Sequence, residues 1–212
     1  PTPVAAKEPS QTSDQPADAK WPLARQFQHP VLSHERKQNG GFRYCKRCEK
    51  FKPDRCHHCS VSGCCVLKLY HFNPWIANSV GFHNYKFYFL LLMYSALGTQ
   101  FAFWTMVPDR ALQRTLLDET RPIQSMSFMI AVLKLFGLEM LLIFAIVFSH
   151  LFAFHVWLML KAMTMLEFRE GKGGIVSASS LSRYSLGIVA NIQSVLGRNP
   201  CTWLLPTALE GD

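Results

Sequence analysis

Residues 87–107 read FYFLLLMYSALGTQFAFWTMV, 21 positions without a charged side chain, closed by Pro108 and Asp109. As a helix rising about 1.5 Å per residue, this run crosses a hydrocarbon layer of about 30 Å. A second uncharged run covers 140–160, between Glu139 and Lys161. Apolar residues extend it back to 128, interrupted by Lys134 and Glu139. Buried helices of soluble domains are the alternative, but uncharged stretches there usually run to about 10–14 residues. The two runs predict transmembrane helices over 87–107 and 128–163, the latter with its core at 140–160. His150 and His155 fall inside the second. Intramembrane histidines face a protein interior or a wet cavity, so packing and function are both open for them.

Outward from these spans the chain is uneven. It has 212 residues, 49% hydrophobic and 17% charged, and 22 Lys+Arg against 14 Asp+Glu leave a formal charge of +8. The apolar share excludes a mainly disordered chain. Residues 1–41 open with PTPVAAKEPSQTSDQPADAK, too poor in large apolar groups to offset ordering entropy, and predict a disordered tail. The segment 108–127 between the spans carries Arg110, Arg114 and Arg121 against Asp109, Asp118 and Glu119. Both flanks, 42–86 and 164–212, are more basic. The positive-inside rule therefore places both flanks in the cytosol and the 108–127 loop on the far side of a multi-pass membrane protein.

Six of the seven cysteines lie between positions 45 and 65. That clustering reads as metal-site spacing within a block, 42–86, of loops and short hairpins. Cys45 and Cys48 form a CxxC knuckle, and His58 and Cys65 complete a tetrahedral Cys3His set for one structural zinc. Unliganded core thiols are the alternative. Without a metal the segment has too little apolar content to fold by itself. The cationic residues of the block, Arg55, Lys68 and Lys86 among them, read as a solvated face or as one that meets anionic headgroups.

The run YCKRCEKFKPDRCHHCSVSGCCVLKLYHFNPWIANSVGFHNYKF, residues 44–87, resembles the cysteine-rich domain of the DHHC protein S-acyltransferases, or palmitoyltransferases, without a gap. Thr164-Met165-Leu166-Glu167 resembles the family's TTxE motif, with Met165 at the second threonine. Asn191, Asn199-Pro200 and Trp203 resemble its C-terminal motif. The resemblance implies an α-helical integral membrane protein with a small cytosolic zinc-binding hairpin domain. It implies transfer of a long-chain acyl group from acyl-CoA, through a cysteine of the enzyme, to a cysteine of a membrane-associated client protein. The family usually has four spans, and the pair that precedes its cysteine-rich domain has no counterpart in this sequence.

Against the DHHC tetrad this chain reads Tyr70-His71-Phe72-Asn73. The resemblance makes His71 the base, puts Asn73 at the nucleophile and Tyr70 at the carboxylate that orients the base. A carboxamide has no thiolate to attack a thioester. Tyr70 at best donates a hydrogen bond to His71, and it supplies no charge to an imidazolium. The resemblance also implies a first zinc on Cys45, Cys48, His58 and Cys65. It implies a second on Cys59 and the positions held by Ser62, Phe72 and Ser79, of which Cys59 alone is a ligand. One zinc site is thus expected. Cys56 and Cys64 leave two further options: a rewired site with Cys59 and His57 or His71, or a displaced nucleophile.

The expected function is that of a palmitoyltransferase-family membrane protein impaired in catalysis. Its expected partners are membrane lipid, long-chain acyl-CoA, and client proteins or an active family member. The alternatives are an active acyltransferase using a displaced cysteine, a membrane-anchored zinc interaction module, and a non-functional product of a truncated gene. Two adjacent spans and the lack of aromatic–basic stacking platforms argue against nucleic acid.

Overall fold

The computed structural model describes residues 35, 37, 39–107, 125–171 and 182–208. Most of the expected tail at 1–41 lies outside them, as does the expected loop at 108–127 apart from its last three residues. The chain divides into two compact units, one through Asp54 and one from Arg55.

In the first unit β1 (Tyr44–Cys45) pairs antiparallel with β2 (Lys50–Phe51), setting Tyr44 opposite Phe51. The edges of Phe42 and Tyr44 pack on Phe51, with ring centroids 6.1 and 5.2 Å away. Such small hairpins lack a core, so polar ties matter. The Glu35 N–H donates to Asp54 Oδ1 at 2.8 Å, and Arg43 pairs with the Glu35 carboxylate.

The second unit begins with two more antiparallel hairpins. β3 (His57–Cys59) pairs with β4 (Cys64–Val66), and β5 (His71–Asn73) with β6 (Asn78–Val80). Gly81 then approaches β4 so closely that an added Cβ would lie 2.4 Å from Val66 Cγ1 and 2.9 Å from the Leu67 carbonyl oxygen. Asn84 closes the corner, accepting from the Gly81 N–H at 2.8 Å and donating to Ser79 O at 2.9 Å.

From that corner α1 runs over Tyr85–Met106, starting two residues before the uncharged stretch. α2 covers Ser125–Leu160 as one helix through Lys134 and Glu139, whose straight side chains are good helix formers. It stops at Leu160, short of the expected 163. Ala162 adopts φ +52°, its N–H reaches Met159 O, and the Met163 N–H reaches Leu158 O, which is the Schellman pattern of helix termination. The short α3 (Met165–Gly171) follows, then α4 (Ile188–Leu196) and a 3-10 turn at Pro200–Thr202.

α1 and α2 lie side by side and antiparallel. Tyr85 meets His155, Phe89 meets Phe152 with ring centroids 5.2 Å apart, and Met106 approaches Gly137. Their outward sides expose Leu97, Phe101 and Trp104 on α1, and Leu133, Phe136 and Ile146 on α2. A soluble domain would bury such faces; lipid accommodates them. Both helices are long and apolar enough to cross a membrane. One hydrophobic cluster gathers Tyr70 and Val80 of the β5–β6 hairpin, Tyr85 and Phe89 of α1, Leu158 of α2 and Val195 of α4.

Candidate functional site

The β3–β4 register sets His58 directly opposite Cys65. The ligand atoms of Cys45, Cys48, His58 and Cys65 all lie within 4.8 Å of one another. His58 Nδ1 stands 3.9 Å from Cys65 Sγ. Two donors of a tetrahedral zinc bound at about 2.3 and 2.0 Å are about 3.6 Å apart, so three thiolates and one imidazole here fit such an ion. Among the described residues this is the one group of cysteine, histidine and acidic side chains able to hold a metal. Among the described residues Cys56, Cys59 and Cys64 do not form a second such group with His57 or His71. The β3–β4 ladder aims His58 and Cys65 into the existing group.

The remaining second-site positions do converge, without metal donors. Ser62 Oγ and Ser79 Oγ are 2.5 Å apart, and the Ser62 N–H donates to Cys59 Sγ at 3.5 Å. Phe72 sits opposite Ser79 on the β5–β6 ladder. Burial pushes the Cys59 thiol up, but hydrogen bonds from Ser79 and Ser62 outweigh it and bring the pKa down to about 7. A hydrogen-bonded trio thus occupies this corner.

His71 and Asn73 stand two apart on β5, and side chains two apart on a strand share a face. On that face the His71 ring lies edge-on to Tyr88 of α1, with ring centroids 5.3 Å apart. Asn73 is 9% exposed, and its Oδ1 accepts from the Trp75 N–H at 2.9 Å, closing the turn at the hairpin tip. His71 Nδ1 is buried without a hydrogen-bond partner among the described residues, and burial holds its pKa below the usual imidazole value.

Tyr70 does not serve His71. It is 1% exposed and stacks on Tyr85, with centroids 3.8 Å apart and planes within 8°. No hydrogen bond joins Tyr70 to His71 among the described residues, so the expected donation is not made. Burial pushes the Tyr70 phenol well up. The Tyr85 hydroxyl lies 3.1 Å from Nδ1 of His155, which is buried on α2. His155 is thus buried and hydrogen-bonded between the two helices, whereas His150 is exposed.

A polar brace ties the hairpins to the end of α2. The Thr164 N–H donates to Glu167 Oε2 at 2.8 Å and the Glu167 N–H to Thr164 Oγ1 at 3.2 Å, a reciprocal capping box at the start of α3. Arg55 donates to both Glu167 oxygens, from Nε at 2.6 Å and Nη2 at 2.7 Å, and also reaches Ala162 O. Its guanidinium lies 4.7 Å from the centre of the Tyr184 ring. Asn191 donates to Leu160 O and Ser185 Oγ and accepts from the Leu186 N–H.

Sequence reasoning missed the roles of Arg55, Lys68 and Lys86, which it read as part of a solvated face or of one that meets anionic headgroups. Arg55 is spent on the brace. Lys68 is half-buried, and the loss of water around it, with Arg55 nearby, lowers its amine to about 8. Lys86 is 3% exposed and donates to Thr202 O at 3.1 Å and Thr207 Oγ1 at 3.0 Å. The available signals were position: Arg55 stands inside the matched run before His58, and Lys86 opens an apolar helix.

Comparison with known proteins places this geometry. The model of the DHHC palmitoyltransferase family matches residues 38–172, more than half of the chain. Palmitoyltransferase ZDHHC15A of Danio rerio is 34% identical over 203 residues, covering 92% of this chain and 57% of the relative. Palmitoyltransferase ZDHHC2 is 37% identical over 202 residues in Mus musculus (92% and 51%) and over 195 in Homo sapiens (89% and 49%). The chain spans about half the length of the curated relatives it matches.

Proposed function

The chain belongs to the DHHC palmitoyltransferase family, and from that premise we propose that it keeps the family's membrane scaffold and one zinc but does not carry acyl groups through position 73. The observation that supports this reading is the state of Asn73: a buried carboxamide whose Oδ1 accepts from the Trp75 N–H. Covalent transfer needs a thiolate beside an oriented base. Asn73 supplies no thiolate, and the residue before His71 is turned into a stack with Tyr85. Cys56 and Cys59 are buried, which argues against a displaced nucleophile.

Zinc, when bound by Cys45, Cys48, His58 and Cys65, acts structurally, since four protein donors leave no open position. The basic flanks face the cytosol in this reading. Long-chain acyl-CoA, membrane-associated clients or an active family member are the proposed partners.

Alkyne-palmitate labelling of the full chain in membranes tests the proposal, read as hydroxylamine-sensitive signal on a gel. The expected result is no thioester label. Label that disappears when Cys56, Cys59 and Cys64 are all replaced by Ser would sink it in favour of a displaced thiol. The Asn73→Cys variant runs beside both.

A further inference from the structure

The opposed pairs of the β3–β4 ladder divide between its two faces. His58 opposite Cys65 turns to the metal group, whereas Cys59 opposite Cys64 and His57 opposite Val66 take the other face. Both Cys59 and Cys64 are thiols in this structure. Directly opposed residues of an antiparallel ladder have Cα atoms about 4.5 or 5.5 Å apart. A disulfide spans Cα separations of about 4.4–6.8 Å, so the backbone already holds this pair at bonding range. The connection 60–63 folds back through Gly63 at φ +69°, which supports the register that opposes them.

Both thiols lie outside the four-ligand group. The groups that converge on Cys59 are the Ser62 N–H, at 3.5 Å from its sulfur, and the hydroxyls of Ser62 and Ser79, where a structural zinc would need thiolates or imidazoles. Cys59 is 7% exposed and Cys64 is half-buried, so a small oxidant meets Cys64 first.

We propose that Cys59 and Cys64 form a reversible oxidation site, closed to a disulfide by a hydroperoxide such as hydrogen peroxide. The Cys64 sulfur, as thiolate, attacks one peroxide oxygen and the O–O bond breaks. The hydroxide released takes up the proton that Cys64 lost and leaves as water, and Cys64 becomes a sulfenic acid. The Cys59 sulfur then attacks the Cys64 sulfur and the S–O bond breaks. A second water leaves with the Cys59 proton. Two thiols are oxidised and one peroxide is reduced to two waters. The ring closed from 59 to 64 is short, so the bond adds little chain-entropy stabilisation, and a thiol reductant reverses it by exchange. Oxidation also changes the sulfur that accepts from the Ser62 N–H. It therefore acts at the corner where Ser62 meets Ser79 of β6.

This pairing rests on the one-zinc reading proposed above, so zinc is measured on the same sample. The full chain, purified in detergent, is exposed to graded hydrogen peroxide and denatured. It is then alkylated, reduced, and alkylated again with an isotopically heavy reagent, and mass spectrometry locates the heavy label. The expected result is heavy label rising together and several-fold at Cys59 and Cys64, at doses that leave one zinc per chain in place. One zinc with both residues still light overturns this pairing alone. Two zincs per chain overturn both readings, since Cys59 would then be a ligand. Heavy label that joins Cys64 to Cys56 or Cys65 instead of Cys59 also overturns it. Cys59→Ser is expected to strand Cys64 as the sulfenic acid, read as several-fold more dimedone adduct there with zinc content unchanged. Absence of that adduct in a variant that still holds its zinc counts against the pairing.

Discussion

At the scale of single residues, Asn73 holds a structural contact at the tip of the β5–β6 hairpin. A carboxamide accepts a backbone N–H better than a thiol does, and Asn73 uses that capacity to close the hairpin tip. Asn73→Cys is therefore expected to loosen the tip and to label weakly with alkyne palmitate, because Tyr70 still stacks on Tyr85 instead of orienting His71. Strong hydroxylamine-sensitive labelling of that variant would contradict the account. His71 carries a pH signature. Burial lowers its folded-state pKa, so below the unfolded value of about 6.5 the unfolded chain takes up a proton that the folded chain resists. Its share of stability is present above pH 6.5 and is lost on acidification through the lower folded value. Thermal unfolding in detergent between pH 7.5 and 5.5 is expected to show a smaller loss for His71→Phe than for the native chain. Zinc release, common to both proteins, cancels in that comparison.

Among the elements, each hairpin has only two or three residues per strand, so register and local ties decide where its side chains go. The β3–β4 register brings His58 against Cys65 and leaves Ser62 facing Ser79 across a hydrogen bond. Because Cys59, Ser62 and Ser79 already converge, Ser62→Cys, Phe72→His and Ser79→Cys together are expected to raise bound zinc from one to two per chain. Metal analysis of the purified variant checks this, and a value that stays at one would mean the corner has lost the geometry. Glu167→Gln is expected to cost about 3 kcal/mol, the low end for a pair that is not fully buried, since it leaves a part-buried guanidinium without its anion. The readout is the melting temperature of the solubilised protein.

For the whole molecule, what was legible in the sequence followed from strong local signals. The uncharged run from Phe87 announces a span because no charge interrupts it, and the cysteine spacing announces a metal because few other arrangements use it. Long-range pairings left no such mark. Arg55 finds Glu167 112 residues away, and Tyr85 finds His155 70 residues away. Charge counting also misled: Lys86 looked like surface because lysines usually are, yet its position at the head of α1 puts the amine under the C-terminal strap. The topology is testable at this scale. A membrane-impermeant thiol reagent is expected to reach Cys201, which is exposed, once the plasma membrane alone is opened and the internal membranes stay sealed. Labelling of intact cells on Cys201 would invert the arrangement.

Lys86 also has a place in time. Its acceptors at Thr202 and Thr207 are synthesised 116 and 121 residues after it. While a ribosome makes α2, the ammonium at the head of α1 has neither acceptor and stays hydrated at the membrane boundary. Docking of the Pro200–Thr202 turn therefore follows the synthesis of α2, and a chain released before Thr202 would leave α1 anchored with its lysine still in water.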